Sequence, residues 1–194
     1  MSLGVSMAGV NVLVGVGGGI AAYKVCTLVS RLAQAGAVVT VAMTEGAQRF
    51  VTPLTFQALS GRPVYISPWQ HVESSDPQHV SLARTCGVAI VAPCTMDLCS
   101  KLATGRCDDV VTLVLSAIDR SRTPVLLVPA MNEAMYTQPS TQRNLETLRA
   151  DGFELVGPGT GWQACRTVGV GRMSEPEELL AAVVAAATRS RAVS

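Results

Sequence analysis

The sequence predicts a three-layer α/β fold, a doubly wound parallel sheet with helices on both faces. Three observations carry this. Short β-rich runs alternate with helical segments along the whole chain, an order that yields a parallel sheet covered on both sides. Four of the runs, residues 10–16, 37–43, 87–92 and 124–128, are almost continuously apolar, as strands buried on both faces must be. The 194 residues are 48% apolar and only 15% charged, enough for one good core and the opposite of a disordered composition.

Each element has a local reason. The first strand, 10–16, breaks at Gly17-Gly18-Gly19, and a helix over 20–34 stops naturally at Gly36. Strand 37–43 leads to Thr44, an N-cap for a short helix through Phe50. Thr52-Pro53 opens a helix to Leu59, with proline at the first-turn position it tolerates. A weak strand over 63–66 and a polar loop over 67–78 precede a short helix over 79–86. Strand 87–92 ends at Pro93, helices cover 97–104 and 109–119, and strand 124–128 ends at Pro129. A helix over 141–150 and a strand over 153–156 follow. Residues 157–171 hold five glycines and read as a mobile lid, and 176–187 form a closing helix of strong helix formers. This is a Rossmann-like or flavodoxin-like arrangement. Residues 9–188 are expected to form its single domain, between a tag or disordered N-terminus (1–8) and a disordered tail (189–194).

Composition excludes several classes. Fifteen Lys and Arg against 14 Asp and Glu leave a net charge of +1, without the basic excess that a nucleic-acid footprint requires. No apolar run approaches the roughly 20 residues of a membrane span, and the N-terminus lacks the charged and hydrophobic regions of a signal peptide, so a cytoplasmic protein is expected. Six cysteines (Cys26, Cys86, Cys94, Cys99, Cys107, Cys165) contain no C-x-x-C pair and have only two histidines beside them. Neither a disulfide framework nor a metal site is expected, and most of these thiols should be buried small hydrophobes. The apolar excess points to subunit interfaces.

In a sheet of this kind, ligands bind outside the C-terminal strand ends. Gly17-Gly18-Gly19 follows a strand and opens a helix, where bare backbone N–H groups form an anion site. The spacing Gly17-x-Gly19-x-x-Ala22 also satisfies a relaxed dinucleotide fingerprint, with Glu45 placed for a ribose. Phosphate binding and a merely tight turn both fit. The segments 92–97 (APCTMD) and 128–135 (VPAMNEAM) each stop a strand at a proline and continue with small and polar residues, making a shelf for a planar heterocycle. Two ordinary loops capped by Asp97 and Asn132 are the alternative. His79 sits at a helix start, where a lone histidine is more often structural than catalytic, and His71 has a weaker claim. Cys165, unlike the other cysteines, lies among glycine and polar residues, where a thiol acts by reactivity.

Taken in order, GGGIAAYK (17–24), the 44–50 segment, His79, APCTMDLCSK (92–101), GRCDD (105–109), PAMNEAMY (129–136) and ACRTVGVGRM (164–173) resemble the homo-oligomeric flavin-containing cysteine decarboxylases. The likeness runs from about residue 9 to 188, and within that family it points to the branch acting on 4′-phospho-N-pantothenoylcysteine. It implies FMN rather than NAD, with Gly18, Gly19, Ile20 and Thr44 on the phosphate and ribityl chain. Thr95, Met96, Asp97 and Leu98 would line the flavin from one strand end, and Ala130 and Met131 from the next. It assigns His79 as active-site histidine, Asn132 as ligand of the substrate carboxylate and amide, and Cys165 as proton donor, with Ala164 and Arg166 beside the substrate.

The resemblance also implies a route. The flavin oxidises the substrate thiol to a thioaldehyde, decarboxylation gives an enethiolate, and return of hydride with a proton completes 4′-phosphopantetheine. Expected partners are a small cysteinyl substrate, further copies of the chain as a trimer or dodecamer, and a separate phosphopantothenate–cysteine ligase. Nucleic acid, membrane and metal are not expected. Tyr136 stands where the family commonly has tryptophan, Asp97 where many members have asparagine, and Arg166 where glycine usually follows the lid cysteine. Peptidyl-cysteine decarboxylase, flavin prenyltransferase, a non-catalytic flavin-binding regulatory subunit and a plain NAD enzyme remain as alternatives.

Overall fold

The computed structural model describes residues 6–70 and 77–193. The chain runs β1 (Asn11–Val16), α1 (Ala22–Gln34), β2 (Val38–Met43), a short 3₁₀ turn (Ala47–Arg49), α2 (Pro53–Ser60), β3 (Val64–Tyr65), α3 (Gln78–Thr85), β4 (Val88–Cys94), α4 (Met96–Ala103) and α5 (Val110–Ser116). It continues through β5 (Val125–Pro129), α6 (Glu133–Tyr136), α7 (Pro139–Ala150), β6 (Glu154–Leu155), β7 (Gly159–Trp162), β8 (Val168–Arg172) and α8 (Pro176–Val193). The parallel sheet has the order β3-β2-β1-β4-β5-β6, which is the Rossmann order. The two-residue β3 decides this, since without it the order would be that of flavodoxin. The connection reverses direction between β1 and β4, and that is the switch point where a ligand crevice opens.

The apolar runs form strands because both faces are covered. Val12, Val14 and Val16 of β1, with Val88 and Ile90 of β4, pack under α1 and α8. The alternate positions Leu13, Ala89 and Val91 pack under α4, α5 and α7. Helix ends follow their local chemistry. Gly36 (φ 86°) ends the turn after α1, Gly61 (φ 68°) ends α2, and Asp109 and Thr112 close a capping box on α5.

Several boundaries differ from expectation. α1 starts two residues late, because residues 19–24 first make i→i+3 bonds such as Ala22 N–H to Gly19 O (2.9 Å). β4 does not stop at Pro93. Its register shifts after Val91, and Cys94 pairs again opposite Pro129, so the missing proline donor is skipped. The 157–171 lid contains the antiparallel β7–β8 hairpin. Its strands were hidden because alternate positions are glycine, leaving little β propensity to read. The four-residue α6 was too short to show a period. Met7 is buried and its amide bonds Ala35 O (2.9 Å), and Arg189 in the last turns of α8 pairs with Glu154 (2.6 Å). Cys86, Cys94 and Cys99 are buried and Cys26 half-buried, but Cys107 is exposed together with Cys165, because it follows α4 between Arg106 and Asp108. No helix among the described residues is long and apolar enough to cross a membrane.

Candidate active site

One cleft of about 600 Å³ stands over the carboxyl ends of β1, β4 and β5. Gly18, Gly19 and Ile20 form one wall, Thr95 and Met96 a second, and Ala130, Met131 and Asn132 a third. Ala164 and Cys165 reach it from the hairpin. Ten of the residues singled out in the sequence thus converge on one space.

The first wall is an anion cradle. A Cβ on Gly17 would sit 2.3 Å from Pro93 O, and one on Gly18 would sit 2.9 Å from the Gly46 carbonyl carbon. Only bare backbone passes there. α1 has no side-chain cap, and the amides of Gly18, Ile20 and Ala21 find no partner among the described residues. Unpaired donors at the positive end of a 13-residue helix suit a phosphate.

Asn132 is the N-cap of α6. Its Oδ1 accepts the Met135 amide (2.8 Å), so the NH₂ is the group left to donate to a ligand in the cleft that Asn132 lines, as binding a carboxylate requires. The hairpin lies over this shelf because Gly169 and Gly171 put no side chain between the two. Met131 N–H donates to Gly171 O (2.9 Å), and Cβ atoms on Gly169 and Gly171 would meet Glu133 Oε2 at 2.7 Å and Met131 O at 2.3 Å. Cys165 occupies the hairpin turn, with Sγ 3.0 Å from Thr167 Oγ1 and 3.5 Å from Gln163 Oε1.

Five expected residues do not line the cleft. Thr44 holds the neighbouring turn, its Oγ1 accepting the Ala47 amide (3.2 Å). The Leu98 side chain is 1% exposed and packs in the core beneath Gly17, so only its backbone is left to face a ligand. Asp97, on the first turn of α4, pairs with Lys101 (3.2 Å). Arg166 stands on the exposed hairpin turn, and His79 on the first turn of α3 is half-buried away from this space. His71 lies outside the described residues. Conversely, Tyr23, Lys24, Trp162, Gln163 and Arg172 line the cleft without having been singled out. Trp162, Gln163 and Arg172 reach it through the β7–β8 hairpin, whose glycine-rich strands gave no pattern to read.

Two features of the hairpin yield predictions. Arg166 is the one non-glycine residue with positive φ (66°) among the described residues, which explains why glycine is favoured at this turn. Left-handed backbone costs a side-chain-bearing residue about 1 kcal/mol. Arg166→Gly should therefore raise Tm by about 2–4 °C in a chain of this size. A thermal melt without such a rise would show the turn to be unstrained.

At the hairpin's root, Glu175 binds Lys24 (2.9 Å) and Arg172. The hydrogen bond from Lys24, helped by the charges of both cations, holds the Glu175 carboxyl below its ordinary value of 4.5. A depressed carboxyl stabilises the fold above its unfolded value and loses that contribution as pH falls through the folded one. Amide protection over 159–172, corrected for intrinsic exchange, should drop as pH falls below the carboxyl's ordinary value of 4.5. Glu175→Gln should abolish that step.

An open doubly wound sheet, with an anion cradle at its switch point and a thiol-bearing hairpin over the crevice, defines a phosphate-ligand-binding α/β protein. The Flavoprotein family model matches residues 2–188, and the chain belongs to that family. It is 45% identical over 176 residues to the coenzyme A biosynthesis bifunctional protein CoaBC of Vibrio cholerae, covering 91% of this chain and 43% of that one. It is 46% identical over 170 residues to the Bacillus subtilis CoaBC, covering 88% and 41%. The chain thus spans less than half the length of the curated relatives it matches. The FMN-dependent cysteine decarboxylase SpaF superposes with a TM-score of 0.82 at 26% identity, covering 96% of this chain and 99% of that one. A PPC decarboxylase Cys-to-Ser mutant complexed with pantothenoylaminoethenethiol superposes at 0.79 with 27% identity, covering 90% and 96%.

Proposed function

We propose that the cleft holds FMN and decarboxylates a cysteinyl substrate, 4′-phospho-N-pantothenoylcysteine, to 4′-phosphopantetheine. The carrying observation is that a cradle of unpartnered amides, an outward-facing Asn132 amide and the Cys165 thiol all open on one cleft. The donor set fits the group: Gly18, Ile20 and Ala21 would take the FMN phosphate through backbone N–H, beside Thr44, while Thr95, Met96, Ala130 and Met131 would flank the ring. When bound, FMN supplies a two-electron oxidation of the substrate's thiol-bearing carbon and returns the pair at the end, so the cycle is redox-neutral. Asn132 NH₂ would hold the substrate carboxylate until it leaves as CO₂. The hairpin would exclude water, and Cys165 would give a proton to the carbon afterwards. That an enethiol was captured on a Cys-to-Ser PPC decarboxylase supports this order.

The active unit would be a trimer-based oligomer in the cytoplasm. Ile20, Tyr23 and Leu54 are each more than half exposed on α1, its leading turn and α2. A neighbouring copy seated there would supply His79, which stands apart from its own chain's cleft. The curated relatives are named bifunctional and are more than twice this length. The ligase step would therefore reside on a partner chain or on sequence beyond these residues.

The likeness to SpaF, an FMN-dependent cysteine decarboxylase, leaves a peptide ending in cysteine as a second substrate class to test. The test uses the purified protein loaded with FMN, given phosphopantothenoylcysteine or a peptide ending in cysteine. A yellow protein releasing CO₂ from the first is expected. Faster turnover of the peptide would move the assignment to the second, and a colourless protein that takes up no FMN would end both.

A further inference from the structure

Gln163 is a polar side chain only 7% exposed, in a hairpin whose neighbours are mostly open to solvent. Burying an amide is costly unless its groups are paired, and here they are. Nε2 donates to Val170 O across the hairpin (2.8 Å). Oε1 accepts the Glu133 amide (3.3 Å), the residue directly after Asn132, and also lies 3.5 Å from Cys165 Sγ. The Gln163 backbone closes the same turn, its N–H donating to Thr167 O (2.8 Å) and its C=O accepting from Arg166 (2.9 Å).

One carbonyl oxygen therefore joins the shelf that carries Asn132 to the thiol on the hairpin. The bond to the Glu133 amide can form only when the hairpin lies down on α6. The contact with the thiol restricts the rotation of a side chain that is otherwise exposed. We propose that Gln163 is a positioning residue, which aims the Cys165 thiol into the cleft only when the hairpin has closed on the Asn132 segment. Resting on the decarboxylase reading, it adds that closure and presentation of the proton donor are a single event. Gln163 itself touches no reacting atom; it acts through Cys165 and the hairpin.

The consequence is specific. Without Gln163, binding and CO₂ loss proceed while the final proton arrives late, so the oxidised enethiol escapes. Gln163→Met keeps the length of the side chain and removes its hydrogen bonds. Gln163→Glu keeps the shared acceptor but, when ionised, cannot donate to Val170 O; protonation restores that donor. In the FMN-loaded oligomer, Gln163→Met should release CO₂ with KM within about 3-fold of the parent enzyme, while the share of turnovers reaching the reduced thiol falls at least about 10-fold. Gln163→Glu, measured relative to the parent at each pH, should regain product share as pH falls through the carboxylate range, and Gln163→Met should not.

Amide exchange over 163–171, taken relative to the parent at each pH so that the Glu175 step cancels, should follow the same pattern: faster in Gln163→Met, and returning toward the parent at low pH in Gln163→Glu. An unchanged product share in Gln163→Met, or the same behaviour of both variants at every pH, overturns the proposal. If the parent protein decarboxylates nothing, the functional reading fails by itself, and the exchange pattern still decides whether Gln163 latches the hairpin.

Discussion

Replacing Cys165 by serine is expected to leave FMN bound and CO₂ released, while formation of the reduced product falls about 10²–10⁴-fold, the range associated with one positioned proton donor. This corresponds to about 3–5 kcal/mol of lost transition-state stabilisation. Serine is nearly isosteric and still reaches Thr167 Oγ1, so the turn should keep its shape. What changes is acidity, since a hydroxyl releases its proton far less readily than a thiol. The stalled species is the oxidised enethiol, detectable by mass two hydrogens below the normal product. Cys107 provides a control because it is the other exposed thiol among the described residues, held by Ser116 Oγ at 3.0 Å and absent from the cleft. Cys107→Ser should leave turnover within about 2-fold. Normal phosphopantetheine formation by Cys165→Ser would remove the proton-donor role and with it the purpose of the hairpin.

Much of this architecture can be read from the chain because burial on both faces forces an unambiguous pattern. The runs in β1, β2, β4 and β5 are apolar for that reason, and the segments after β1, β4 and β5 converge on one cleft because parallel strands share a carboxyl edge. The failures lie where structure comes from contacts distant in sequence. β7 and β8 are strands because Gly169 and Gly171 let them lie on Glu133 and Met131, not because their residues favour strands. Lys24 is a cleft residue only because Glu175 and Arg172, some 150 positions away, return to meet it. Leu98 and Asp97 directly follow Thr95 and Met96, yet the first turn of α4 sends the Leu98 side chain into the core and that of Asp97 to Lys101. Gln163 carries no signal at all in a single sequence; its value lies in three partners brought to it by folding.

The second large effect concerns the cradle, where two glycines one residue apart should behave differently. Gly17→Ala must place its Cβ 2.3 Å from Pro93 O and 2.8 Å from a Leu98 methyl. The first neighbour is backbone of β4 and the second is buried, so neither can yield without moving the strand end or the core. Overpacking of this kind costs about 1–3 kcal/mol or more. For a chain of this length Tm should fall by about 6–12 °C at the upper figure, and FMN affinity should fall with it because the displaced loop carries the Gly18 and Ile20 amides. At Gly19 the nearest atoms to a new Cβ are 3.5 Å away, on Pro93 and Thr95, an ordinary contact. Gly19→Ala should keep Tm within about 2 °C while still weakening FMN, since its methyl enters the wall of the cleft itself. If both variants lose stability equally, the tight loop is a folding requirement alone. If Gly17→Ala destabilises and Gly19→Ala only releases the flavin, the two glycines separate the packing of the switch point from its use as a phosphate seat.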